Sequence, residues 1–126
     1  MAARGRPAAI LLAACVAAAC AWAQPATPEA QAEIEALIAT LAGSGCEFER
    51  NGRWYGTDRA QEHLRRKHEW LRRRGLAPTA ELFIERAATS SSVSGRAYRV
   101  RCPPDLRPEP AADWFRARLA GIRSGT

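Results

Sequence analysis

Cys46-Glu47-Phe48-Glu49-Arg50-Asn51-Gly52-Arg53-Trp54-Tyr55 sets the architecture of this chain. Asn-Gly supplies two consecutive positive φ angles, the backbone that a type I′ turn requires, so the segment is a tight hairpin. A two-residue loop also fixes the register. Arg50 then faces Arg53, Glu49 faces Trp54 and Phe48 faces Tyr55. Side chains alternate along a strand, which leaves Cys46, Phe48 and Tyr55 on one side of the ribbon, the expected core side. An isolated hairpin is marginal in water and needs a further strand and a cross-link to hold it.

The further strand lies at 97–102, where Tyr98, Val100 and Cys102 fall on one face and Arg99 and Arg101 on the other, before Pro103-Pro104 closes the run. Upstream of the hairpin, Thr27 caps a helix with Pro28 at its first position. Ile34, Leu37, Ile38 and Leu41 recur along one face of it, and Gly43 ends it. Downstream, a second helix runs from about Asp58 to Arg74, with Thr57 or Asp58 as cap, Ala60, Leu64 and Leu71 as its apolar stripe and Gly75 as its stop. Leu76 to Pro78 turn the chain. Thr79 caps a third helix from about Ala80 to Ala88 that buries Leu82, Phe83 and Ala87 in some combination, and a serine-rich stretch follows from Thr89 to Gly95. Pro110 opens a last helix carrying Trp114, Phe115, Leu119 and Ile122. The expected class is therefore α+β: a small three-stranded antiparallel sheet, hairpin 46–55 plus strand 97–102, packed with about four helices.

The N-terminus sets the compartment. Arg4 and Arg6 form a short positive region, Ala8 to Ala21 an apolar run too short to span a bilayer, and Ala21-Trp22-Ala23 a small-x-small cleavage pattern. Residues 1–23 read as a cleaved signal peptide and 24–126 as a single exported domain, periplasmic and without a transmembrane helix. A rival reading takes Leu12-Ala13-Ala14-Cys15 as a lipobox and anchors the protein as a lipoprotein at Cys15; the apolar run continuing through Val16 to Ala23 argues against it. Of the 4 cysteines, Cys15 and Cys20 leave with the signal. Cys46 and Cys102 remain, and in an oxidising compartment that pair is a disulfide.

The whole chain has 126 residues and a net charge of +6, which falls when Arg4 and Arg6 are removed. Lys67 is its one lysine. Arginine in such excess beside abundant alanine reads as a coding bias rather than as a polyanion site. Arg65-Arg66-Lys67 and Arg72-Arg73-Arg74 superficially suggest a DNA-binding helix, but export excludes nucleic acid, and Glu62 with Arg66 and Glu69 with Arg73 have the i, i+4 spacing of a solvated helix face. Binding to an anionic envelope component stays compatible with this charge.

No cofactor or metal is expected. His63 and His68 are five apart on a helix and point roughly 140° apart, unlike the i, i+4 pair of a helical zinc site. Ser90, Ser91, Ser92 and Ser94 crowd one loop, but no G-x-S-x-G elbow or S-x-x-K dyad accompanies them. Their ordinary role is to satisfy turn backbone before Gly95, and no catalytic residue is assigned. His63 and Lys67 share a helix face beside Leu64 and could line a shallow groove with Tyr98 or the serine loop.

Ser44-Gly45-Cys46-x-Phe48-x-Arg50-Asn51-Gly52, His63-Leu64 with Lys67, Thr79-Ala80-Glu81-x-Phe83-Ile84, and Ser91-Ser92-x-Ser94-Gly95-x-x-Tyr98-x-Val100 with Cys102 form an ordered set of blocks. In this set the chain resembles the YfeK-like family of small exported bacterial proteins, a domain of unknown function, over residues 29–123. The resemblance implies an exported, periplasmic protein and carries no family-defined active site. The expected role is a non-catalytic binding or structural module that engages an envelope protein or polymer through His63, Lys67, Ser92, Ser94, Gly95 and Tyr98. The alternative is a small serine-dependent hydrolase that uses the 90–94 loop with His63.

Overall fold

A computed structural model describes residues 3–5, 8–10 and 23–125. The lipobox cysteine Cys15, Cys20 and the cleavage-pattern residues Ala21 and Trp22 lie outside the described residues.

The hairpin forms as its turn dictates. Strands β1 (Glu47–Arg50) and β2 (Arg53–Tyr55) flank Asn51 at φ 51° and Gly52 at φ 80°, and the pairs are Phe48 with Tyr55, Glu49 with Trp54 and Arg50 with Arg53. Strand β3 (Arg99–Arg101) adds antiparallel to β1, setting Val100 opposite Phe48 and Arg101 opposite Glu47. One step further along that ladder Cys46 meets Cys102, and the two form a disulfide with Cα atoms 4.2 Å apart.

The sheet departs from the expected three strands. A fourth, β4 (Glu109–Pro110), pairs with β3, giving the order β2-β1-β3-β4. It is only two residues long, too short to show alternation, and arises because the chain returns past β3 on its way into the last helix. The strand expected at 97–102 is also shorter than its alternation suggested. Ala97 makes only an isolated bridge to Ser90, and Tyr98 bonds outward through backbone, its N–H to Thr89 O at 2.9 Å and its carbonyl accepting from Ala111 N at 2.9 Å.

Among the described residues four helices pack with this sheet. In α1 (Pro28–Ala39) the Thr27 hydroxyl accepts from Ala30 N at 3.1 Å, and Ala30, Ile34, Leu37 and Ile38 are buried. In α2 (Thr57–Arg73) the cap is Gly56, with no side-chain cap bond. Thr57 and Asp58 instead occupy the first turn, where the Asp58 carboxylate complements the helix dipole. In α3 (Ala80–Ala87) Thr79 caps through Leu82 N at 3.1 Å, and Phe83, Ile84 and Ala87 are buried while Leu82 is half-buried. Helix α4 (Ala111–Ser124) buries Trp114, Phe115 and Leu119, and Ile122 packs partly buried against the core.

Phe83, Phe115, Ile34, Leu37, Leu41, Ile84 and Val100 are the largest fully buried side chains, so the core lies where α1, α3 and α4 meet the sheet. Phe48 carries the sheet into it, its ring edge-on to Trp114 at 5.5 Å and tilted on Phe115 at 6.0 Å. Arg123 near the end of α4 ties the helices at their rim, bonding Glu33 of α1 at 2.7 Å and Glu81 of α3. Among the described residues no helix is long and apolar enough to cross a membrane.

Candidate functional site

Helix α2 carries three faces. Ala60, Leu64, His68 and Leu71 turn into the core. The opposite face is solvated and self-paired: Arg66 bonds Glu62 at 2.6 Å, and Arg72 and Arg73 both bond Glu69. Arg72, then Arg73, hold the Glu69 carboxyl down to about 2. Between these faces His63 and Lys67, one turn apart, point toward the sheet.

There they meet Tyr98 and Arg50. His63 Nε2 lies 3.0 Å from the Tyr98 hydroxyl, and His63 Nδ1 lies 2.8 Å from Arg50 Nη1. A guanidinium can only donate, so Nδ1 must be the unprotonated nitrogen and Nε2 carries the hydrogen. Nε2–H therefore donates to Tyr98. Lys67 Nζ donates to the same hydroxyl at 3.3 Å and to Ser90 O at 3.2 Å. The Tyr98 oxygen thus accepts twice, and its own hydrogen has no acceptor among the described residues. The residue is 7% exposed, and the two donors hold its hydroxyl in place at the cavity lining.

The electrostatics follow from crowding cations into a half-buried place. Burial, then Arg50, Lys67 and Arg66, push His63 down to about 4, so it is neutral at physiological pH. Burial and Arg50 lower Lys67. Burial raises Tyr98, against the pull of Arg50, and keeps its hydroxyl protonated. No carboxylate bonds Arg50 or Lys67 among the described residues.

Beside this cluster opens a cavity of about 210 Å³. Its lining includes the apolar side chains of Phe48, Leu64 and Phe115 and the polar ones of Arg50, Arg59 and Tyr98. Arg50 and Arg59 both lie near the Tyr55 ring, 5.4 and 5.7 Å from its centroid.

The structure therefore brings His63, Lys67 and Tyr98 together and leaves Ser92, Ser94 and Gly95 in a separate cluster. Ser91 is buried, and its hydroxyl accepts from Val93 N at 3.2 Å and Ser94 N at 3.3 Å. Ser94 Oγ donates to Asn51 at the hairpin tip, Gly95 N bonds Ser91 O at 2.9 Å, and Ser92 is exposed. The hydroxyls of Ser91 and Ser94 thus serve turn backbone and the hairpin. No loop serine bonds His63, whose ring nitrogens are taken by Arg50 and Tyr98. Sequence reasoning passed over Arg50. Its signal was the hairpin register, which sets Arg50 two residues from Phe48 on the core face, an unusual place for an arginine.

His68 sits one turn beyond Leu64, edge-on to Phe83 at 5.4 Å, as a core residue. Among the described residues no three His, Cys, Asp or Glu side chains gather where they could hold a metal ion.

A family model described as a family of unknown function (DUF5329) matches residues 28–123. The uncharacterized protein YfeK of Salmonella typhimurium (strain LT2) is 39% identical over 79 residues, 62% of this chain and 63% of that protein. The matched region thus spans less than two thirds of that relative's length. No solved structure matches the chain.

Proposed function

The chain belongs to this DUF5329 family of unknown function, and from that premise we propose that it is an exported envelope protein whose role is binding rather than catalysis. In this reading residues 1–23 are its cleaved signal, residues 24–126 its domain, and its partner is an envelope protein or polymer. The partner docks where Arg50, His63, Lys67 and Tyr98 adjoin the 91–98 loop. One observation carries the reading: a half-buried cluster of two cations and a tyrosine donor, with no carboxylate bonded to either cation among the described residues. Burying cations without counter-charge costs stability, and an opposite charge brought by a partner recovers that cost. The disulfide supports export, since such bonds persist in oxidising compartments.

Affinity capture from a bacterial envelope extract tests this. The wild-type protein should retain a partner that Lys67→Ala and Tyr98→Phe lose, while Arg72→Ala, on the solvated face of α2, keeps it. Equal losses from all three variants would replace the site with diffuse electrostatic attraction.

A further inference from the structure

We infer that the cavity between α2 and the sheet takes a small amphipathic carboxylate, its anionic head on Arg50 and Tyr98 and its hydrocarbon tail on Phe48, Leu64 and Phe115. This deepens the binding reading above and rests on it, naming the chemistry that the site recognises.

The head group follows from donors without acceptors. Arg50 spends Nη1 on His63 and, among the described residues, hydrogen-bonds through no other donor of its fork. The buried Tyr98 hydroxyl accepts from His63 and Lys67 and has its own hydrogen to give. Arg59, exposed beside the Tyr55 ring, has no carboxylate partner among the described residues. The acids that line the cavity are already engaged: Glu62 bonds Arg66 at 2.6 Å and Glu49 faces Arg99 at 3.8 Å. A planar carboxylate matches a guanidinium edge plus one O–H donor.

The tail follows from the apolar part of the lining. A fully hydrated ion such as inorganic phosphate would lose water against Phe48, Leu64 and Phe115 without recompense, whereas a hydrocarbon gains there. The volume of about 210 Å³ corresponds to roughly seven water molecules. That accommodates a short alkanoate or the last residue of a peptide with its terminal carboxylate.

The test is an NMR titration of the disulfide-bonded protein with acetate, butyrate, hexanoate, hexan-1-ol and inorganic phosphate. Hexanoate should bind saturably at Arg50, His63 and Tyr98, with affinity rising about fourfold per methylene from butyrate. The imidazole of His63 should titrate at higher pH in the complex, because the bound anion offsets its cationic neighbours. Arg50→Gln should weaken hexanoate about tenfold or more, and Tyr98→Phe several-fold. If Arg50→Gln does not fold, Tyr98→Phe, which removes the other donor assigned to the head group, carries the test. The inference is overturned if hexanoate binds no tighter than acetate, if hexan-1-ol or phosphate binds equally well, or if Arg50→Gln and Tyr98→Phe leave hexanoate binding unchanged. Loss of hexanoate binding with envelope capture still dependent on Lys67 and Tyr98 would sink this inference alone. Alkanoate binding with nothing captured would sink the macromolecular reading and keep this one.

Discussion

His63 shows how burial, reinforced by three neighbouring cations, governs one ring. It titrates near pH 4 in the folded chain against 6.5 in the free side chain. Between those values the unfolded chain binds a proton that the native chain refuses, so stability rises with pH across the window and is lost as pH falls through it. Because His63 is half exposed, solvent screening holds the effect to on the order of 1 to 2 kcal/mol. Urea unfolding near pH 7 and near pH 5 should show the wild type losing more than His63→Gln; a slope unchanged in the variant would detach this ring from the pH response. Some slope remains in both, since burial lowers His68 too. At Gly75 the constraint is backbone. Its φ is +63°, and a Cβ there would come within 2.9 Å of Gln24 N, whose N–H bonds Gly75 O at 2.8 Å. Gly75→Ala should therefore cost the left-handed penalty of about 1 to 2 kcal/mol and also displace the N-terminal segment. Gly52→Ala meets only the end of the Arg96 side chain, at 3.5 Å or more, and should cost the backbone penalty alone. Thermal melts of the two variants check the ranking.

Among the elements, the disulfide has the largest leverage, because it joins the start of β1 to the end of β3 across 56 residues. A loop that long implies about 4 kcal/mol from restriction of the unfolded chain, a large share of a small domain's stability. Replacing both Cys46 and Cys102 by Ser should drop the melting temperature steeply or abolish folding; a melt within a few degrees of wild type would place the stability in the helices instead. How legible each element was depended on whether its signal was local. Asn51-Gly52 fixed the hairpin register because a two-residue turn leaves no alternative. Helix caps followed hydroxyls at Thr27 and Thr79, where a side-chain oxygen reaches a free N–H. At α2 the chain takes Gly56 instead, and Thr57 enters the helix. Strand β4 had no local signal, since two residues have no period and pairing with β3 is a tertiary event. The site divides in the same way: His63 and Lys67 were visible as neighbours on one helix face, whereas Arg50 reaches His63 across 13 residues. The serines drew attention by composition, and the hydrogen bonds of Ser91 and Ser94 go to turn backbone and to Asn51 at the hairpin tip.

At the scale of the whole molecule, the two rims of the sheet differ in how they end. One is β2, three residues beginning at Arg53. The other is β4, and there the last residue matters most. Ala111 donates its N–H inward to Tyr98 O at 2.9 Å, so the alternation of an antiparallel ladder turns the preceding amide position, that of Pro110, away from the sheet. Proline has no N–H to present there. A strand from a neighbouring molecule seeking to extend the sheet at this rim finds no outward donor, and at the other rim it finds a short edge with a cation at its start. The proline that leads into α4 thus also guards against aggregation. Pro110→Ala restores the missing donor without adding an apolar surface, and sedimentation velocity at high protein concentration should show that variant self-associating where the wild type stays monodisperse.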